Sequence, residues 1–417
     1  MNRVPPAFSG HIGRRLAVSL LAVALAAPGG LGAADSASPL PTATPEQVGF
    51  RAEGLAEADR IVQAAVAERA FPGAVLAIGR RGSLVRLRAF GRHTYDPGAA
   101  PMGTDTMFDL ASLTKVVATT TVAMSLVDEG QLDLDAPVRT VIPGFSGGRK
   151  DGVLVRQLLT HSGGLLWWAP LYEELRGQEA YLERILEMDL DYEPGTKMVY
   201  TDLGLILLGR VLERLGGAPL DELASRRVFE PLGLRDTLYL PPVELRPRIA
   251  PTELDSWRGR VLVGEVHDEN AFALEGVAPH AGLFSTAGDL SRFAQALLNG
   301  GVLDGRRVVS EATVELFTRR AGQKGSTRAL GWDTPADETG ARSSTPRQPG
   351  YSTAGSLLSA RSFGHTGFTG TSMWMDPERG LFVILLTNRV HPTRENRAIS
   401  RVRPRLADAV VRALDDR

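Results

Sequence analysis

Apolar and polar positions along the chain fall into two periodic regimes, separated by a change near residue 130 and a return near residue 360. Residues 74–78 and 84–90 are apolar-rich runs flanking Arg81-Gly82, the pattern of two paired strands around a tight turn. Residues 362–366, 371–375 and 381–387 repeat that strand character, with the last two runs joined by Asp376-Pro377-Glu378-Arg379-Gly380. Helical periodicity instead marks 53–69, 108–127, 155–159, 179–188, 203–215, 220–228, 287–298 and 397–414. The stretch from Gln131 to about Gly300 therefore reads as mainly helical with loops. The Gly-, Pro-, Ser- and Arg-rich stretch 322–355 reads as irregular, a candidate flap. Strands at both ends with helices between predict an α+β fold. A mostly antiparallel sheet would be flanked by helices, with an inserted all-helical lobe at about 130–300 and a cleft at the seam.

The N-terminus follows a different logic. Arg14 and Arg15 precede an apolar run from Leu16 to Ala27, and small residues follow at 32–34. This is the layout of a secretory signal peptide, assigned to 1–33, and the run is too short to span a bilayer comfortably. A Ser/Pro/Ala/Thr-rich linker, 34–45, leads into one domain over 46–417. Export to the periplasm or the extracellular space is the expectation, with no stable membrane span after cleavage. The chain has no cysteine, which excludes disulfides, thiolate metal sites and a cysteine nucleophile. A formal net charge of -1 argues against a nucleic-acid partner.

The candidate chemistry begins with a lysine. Lysine accounts for four of 47 basic residues, and one of the four closes the run Ser112-Leu113-Thr114-Lys115. Arginine stays protonated, whereas lysine can surrender its proton when buried or placed near other charge. Positions i and i+3 of a helix share a face, so Ser112 at a helix start has the Lys115 amine beside its hydroxyl, an activated-nucleophile arrangement. Two further clusters matter. Tyr200-Thr201-Asp202 offers a phenol able to shuttle a proton where nearby cations favour its anion, with Thr201 or Asp202 as a helix N-cap. Gly364-His365-Thr366-Gly367 lies on a late strand, where alternation places His365 and Gly367 on one face and Thr366 on the other. His365 could donate to a bound carboxylate or carbonyl, and Gly367 would let a substrate backbone approach closely.

Taken in order, these three clusters resemble the signature of the serine β-lactamase and penicillin-binding-protein superfamily, S-x-x-K, then a Tyr triad, then K-T-G. The Tyr version resembles the class C branch, which includes D-alanyl-D-alanine carboxypeptidases, D-aminopeptidases and esterases. Further similar segments are 158–165, 266–271 and 280–286, and the likeness spans about 48–414. The resemblance implies a β-lactamase-like fold and acyl transfer through Ser112, with no metal or organic cofactor. Lys115 and Tyr200 would share the serine proton and the protonation of the leaving group, the choice of formal base staying open. Backbone N–H groups of Ser112 and Phe368 would form the oxyanion hole, and Asp202, His365, Thr366 and Gly367 would bind substrate. Two positions depart from the pattern. Asp202 stands where Asn is usual, so it can pair with Lys115 and favour Tyr200 as base. His365 stands where Lys supplies a fixed cation for the carboxylate of a β-lactam. The resemblance thus points to D-amino-acid peptides of the cell wall or small esters, then to β-lactams, and in a non-enzyme reading to a penicillin- or peptidoglycan-binding sensor.

Other motifs carry less. Gly144-Phe145-Ser146-Gly147-Gly148 matches a nucleophile elbow, but Pro143 before it and the Gly-rich stretch after it deny the strand and helix that an elbow needs. His267, Asp268, Glu269 and His280 fit no strong zinc spacing. Trp167 and Trp168 could line a substrate wall or pack a helix.

Overall fold

In the computed structural model the described residues are 39–336 and 353–415. The expected signal peptide, the start of the linker and the middle of 322–355 lie outside them. Five antiparallel strands form the central sheet: β1 (Gly73–Arg80), β2 (Ser83–Gly91), and three late strands. Between the two groups come the short strands β3 (Phe108–Asp109), β4 (Leu238–Tyr239) and β5 (Leu283–Ser285). The late strands are β6 (Phe363–Thr366), β7 (Ser372–Asp376) and β8 (Leu381–Thr387), and the sheet order is β6-β7-β8-β1-β2. Arg81 and Gly82 both have positive φ, 51° and 85°, which suits the right-handed twist of a two-residue hairpin.

The sheet's middle strands are apolar at nearly every position because both faces are covered. In β1, Ala74, Leu76 and Ile78 join one apolar cluster with α1 (Ala52–Ala67) and the C-terminal helix Ile399–Arg412. Val75 and Ala77 join the larger cluster on the other face. The same alternation divides Leu381, Val383 and Leu385 from Phe382, Ile384 and Leu386 in β8. Each fully buried Leu or Ile contributes about 1.5–3 kcal/mol relative to exposure, so this double layer fixes the register on which the site depends.

On the second face α6 (Ala287–Leu298) packs against β1 and β8, and the apolar cluster there continues into α2 (Thr121–Asp128) and the central-segment helices α3 (Val155–Leu159), α4 (Gln178–Glu187) and α5 (Asp202–Gly216). The C-terminal helix is α7. The central segment is mainly helical, and its strand β5 pairs with both β3 and β4. That pairing changes one boundary. Phe108 and Asp109, expected inside a helix, are in strand because Phe108 faces Ser285 and Asp109 faces Phe284. Helical structure begins only at Ala111, as a 3-10 turn through Leu113 and a π-helical stretch from Lys115 to Thr120. Residues 39–45 pack on the domain, with Leu40 buried and Thr42 bridged to Leu84.

Candidate active site

The Ser112 turn is built under constraint. Ala111, just before the serine, has φ of 46°, a left-handed conformation uncommon for a residue with a Cβ. The Asp109 carboxylate holds the turn by accepting the Ala111 N–H at 2.8 Å. Downstream, Thr114 Oγ1 accepts from Leu283 N–H at 3.1 Å and Thr119 Oγ1 donates to the Pro279 carbonyl at 2.6 Å. The helix carrying Ser112 and Lys115 is thereby fastened to the segment 279–283.

Lys115 is 1% exposed. Its Nζ lies 2.9 Å from Ser112 Oγ, 2.8 Å from the His280 carbonyl and 2.8 Å from Asp202 Oδ1. An ammonium has three N–H donors and no acceptor, and here three acceptors surround it. Burial pulls the Lys115 pKa down, but the Asp202 carboxylate and the Tyr200 phenol outweigh it, and the net shift is upward. Lys115 is therefore a charged group with its hydrogens committed. Asp202 opens α5, whose N-cap is Thr201, the Thr201 side chain accepting from Gly204 N–H.

Tyr200 is half-buried. Its ring packs on His161, with centroids 4.4 Å apart. Lys115 Nζ lies 5.2 Å from the Tyr200 centroid and the Arg328 guanidinium 5.0 Å from it. The backbone on either side of Tyr200 is pinned to His161, whose carbonyl accepts from Val199 N–H and whose Nδ1 accepts from Thr201 N–H. His161 itself stays neutral, its pKa driven well down by burial and then by Arg328 and Lys115.

The third cluster forms the opposite wall. His365 is 4% exposed and its Nδ1 lies 2.9 Å from the carbonyl of Thr366. A carbonyl only accepts, so Nδ1 carries the hydrogen, and Nε2, buried without a hydrogen-bond partner among the described residues, presents a lone pair. Burial, then Arg328 and Lys115, hold the His365 pKa well below the usual range. The expected donor to a carboxylate is thus a neutral acceptor in this state. A Cβ on Gly367 would lie 2.1 Å from Thr371 Oγ1 and 2.3 Å from the Leu110 carbonyl, so this position admits only glycine. Thr371 Oγ1 and Thr369 Oγ1 donate to the carbonyls of Leu110 and Asp109, drawing the β6–β7 turn against the serine turn. Phe368 is 50% exposed at the edge of the cleft.

Ser112, Tyr200, His365, Thr366, Gly367 and Phe368 line one cavity of about 260 Å³. Every expected site residue thus lies in that cavity or, for Lys115 and Asp202, directly behind its serine. Sequence reasoning missed Arg328, Arg389 and Arg403, which share the lining. Arg328 comes from the segment read as a flap. In the described part of that segment, residues 326–335 are buried, and Asp333 bridges to Gly364 of β6. Arg403, on α7, donates to the carbonyls of Gly367 and Thr371, and Arg389 donates to the carbonyl of Phe368. No local spacing marks any of these arginines in a chain so rich in the residue.

The remaining candidates are placed elsewhere. Ser146 sits in an exposed loop between helical turns. His267 Nε2 pairs with Glu253 at 2.8 Å and His280 Nε2 with Asp268 at 3.0 Å, two separate couples. Trp167 is 60% exposed and packs against Trp168 with centroids 5.8 Å apart. Thr201 donates to the carbonyl of the adjoining Leu166.

The model of the family described as Beta-lactamase matches residues 58–407. The chain belongs to the beta-lactamase family. It is 33% identical over 387 residues to a protein of Escherichia coli (strain K12) named "Putative D-alanyl-D-alanine carboxypeptidase", covering 84% of this chain and 86% of that one. It is 34% identical over 379 residues to the "N-acetylmuramyl-L-alanine amidase" of Bacillus subtilis (strain 168), covering 83% of each. Among solved structures, a penicillin-binding-protein homologue from Caulobacter crescentus superposes with a TM-score of 0.68 at 24% identity, over 88% of this chain and 99% of that one. These matches agree with the α+β architecture and make the beta-lactamase-family chain a serine hydrolase.

Proposed function

We propose that the protein is an exported hydrolase that cleaves D-amino-acid peptides of the cell wall through an acyl-enzyme on Ser112. The observation that carries this reading is the ammonium of Lys115, held by Asp202 at 2.8 Å and aimed at Ser112 Oγ at 2.9 Å in a cavity shared with Tyr200. A committed ammonium cannot accept a proton, so Tyr200 takes the Ser112 proton. Tyr200 does so as its phenolate, whose charge is countered by the Lys115 ammonium beside it. The Ser112 Oγ–carbon bond forms, and the oxyanion is held by the N–H groups of Ser112 and Phe368. The carbon–nitrogen bond then breaks as Tyr200 hands its proton to the departing amine. Water attacks the ester, losing a proton to Tyr200, and the acid is released as Ser112 recovers its hydrogen.

Support for a peptide substrate comes from the cavity. The guanidinium groups of Arg328, Arg389 and Arg403 give it a positive lining suited to a terminal carboxylate. Neutral His365 supplies no fixed cation there, which sets the site apart from the K-T-G pattern of β-lactam hydrolysis. The names of the Escherichia coli and Bacillus subtilis relatives point to cell-wall peptides as well. The test is a hydrolysis panel on purified protein lacking residues 1–33: a peptide ending in D-Ala-D-Ala, a D-amino-acid amide, short-chain p-nitrophenyl esters and nitrocefin. The reading requires the D-Ala-D-Ala peptide to have the highest kcat/KM. Preference for nitrocefin, or for esters with no peptide cleavage, would replace it with a β-lactamase or an esterase. Absence of turnover on all four would favour a binding module.

A further inference from the structure

Asp109 precedes the nucleophile by three residues, is 2% exposed, and is not part of the reaction described above. Its contacts join three segments distant in sequence. Carboxylate oxygen Oδ1 accepts the Ala111 N–H at 2.8 Å, inside the turn that carries Ser112. Oxygen Oδ2 accepts the His267 N–H at 2.7 Å. Its backbone carbonyl accepts from Thr369 Oγ1 at 2.7 Å, and Thr369 directly follows Phe368. The His267 ring in turn packs against the Phe368 ring, with centroids 5.6 Å apart. On the far side of that loop, His267 Nε2 is fixed by Glu253, which also receives Arg394. Phe368 is therefore steadied through its neighbour Thr369 and through the His267 ring, and both connections end on Asp109.

A buried carboxylate is costly unless its oxygens are satisfied. Burial pushes the Asp109 pKa up, and the His267 and Ala111 N–H groups offset only part of that rise. An Asn at this position would serve one of the two N–H groups with its oxygen and turn an NH₂ toward the other. The carboxylate is the side chain of this size that accepts from both.

We infer that Asp109 is a positioning residue that sets the distance between the two backbone donors of the oxyanion hole, the N–H groups of Ser112 and Phe368. The inference rests on the acyl-enzyme reading, in which those two donors bind the developing oxyanion. Donors held on separate loops bind a tetrahedral oxygen only when their separation is right, and small misplacements cost about 10²-fold in rate. Asp109 touches the chain on both sides of that gap, so loss of either hydrogen bond lets the gap relax. The ground-state substrate, bound along β6 and by the arginines, is not held by this gap.

The experiment compares wild type with Asp109→Asn and with Thr369→Val, a near-isosteric change that removes only the tie from the Phe368 side. Measured are kcat and KM on the best ester or peptide, the affinity for a boronic acid that forms a tetrahedral adduct on Ser112, and the melting temperature. The expected result is a fall in kcat of about 10–100-fold for Asp109→Asn and about tenfold for Thr369→Val. KM should stay within about twofold, and boronate affinity should fall in parallel with kcat, as for a group acting only in the transition state. Unchanged kcat and boronate affinity in both folded variants would overturn the inference. So would a rise in KM alone, or a loss of activity that tracks the fraction unfolded. Should Asp109→Asn fail to fold, Thr369→Val alone decides by the same criteria. Wild-type burst kinetics test the acyl-enzyme reading separately, so the variant-to-wild-type ratios report on spacing alone.

Discussion

Replacing Asp202 with Asn separates the two proton roles open to Lys115. The pair is direct, with Nζ and Oδ1 2.8 Å apart, and Lys115 is 1% exposed while the Asp202 side chain is 19% exposed. At an effective dielectric constant of about 20, two unit charges at that distance attract by about 6 kcal/mol before desolvation is subtracted. Breaking a buried pair by removing one partner costs about 3–5 kcal/mol. Asp202 keeps some contact with water and Asn retains an amide oxygen, so a loss of about 2–3 kcal/mol at neutral pH is expected. The sign follows from the upward shift at Lys115. The pair stabilises the folded protein throughout the range below the ordinary lysine pKa and loses that contribution as pH rises through the elevated folded value. Urea unfolding measures the stability change. The burst rate with a p-nitrophenyl ester, followed from pH 6 to pH 10, measures the consequence for chemistry. With Tyr200 as base and Lys115 as a fixed charge, Asp202→Asn introduces an alkaline limb on which acylation slows as Lys115 loses its proton. If acylation in the variant instead speeds up with pH, the free amine is the base and the assignment to Tyr200 is wrong.

Three other outcomes follow from the same geometry. Tyr200→Phe should lower the acylation rate by about 10²–10⁴-fold with KM little changed, checked by stopped-flow ester hydrolysis; activity within tenfold of wild type would remove Tyr200 from proton transfer. Gly367→Ala places a methyl 2.1 Å from Thr371 Oγ1 and 2.3 Å from the Leu110 carbonyl, so it should displace the β6–β7 turn, abolish the burst and lower the melting temperature. Retention of both would show that the turn has room to spare. Glu253 is pulled down to about 2 despite burial, through donors from His267 and Arg394. A depressed carboxylate stabilises the fold above its ordinary pKa and ceases to do so as pH falls through its folded value. Acid unfolding should therefore include a loss between about pH 4.5 and pH 2 that is absent in Glu253→Gln; superimposable acid transitions would count against the pairing.

The division of labour between sequence and fold is visible in particular residues. The strands β1, β2 and β8 and helices such as α3 and α6 are legible because their apolar periodicity is local and uninterrupted. Ser112, Lys115 and Tyr200 are legible because their residue types are rare enough, in order, to imply a chemistry. The boundary at Phe108 was not legible, since an apolar run preceding a helix reads as helix until its partner strand, 177 residues away in sequence (Phe108 with Ser285), is known. Arg328 escaped for a similar reason. It lies in a stretch without periodicity, and only its tertiary position over Tyr200 separates it from the many surface arginines. The protonation of His365 could not be read either, because it depends on burial and on guanidinium groups contributed from elsewhere in the chain. Asp109 stood beside the recognised motif, yet its meaning resides in the partners Ala111, His267 and Thr369, which only the folded chain brings together.

The central claim is that Ser112 forms the covalent intermediate. Intact-protein mass spectrometry after exposure to a fluorophosphonate, with peptide mapping, tests it most directly. The account predicts one adduct on the wild-type protein, located on Ser112, and none on Ser112→Ala. An adduct that persists in the variant, or that maps to another residue such as Ser146, would contradict it.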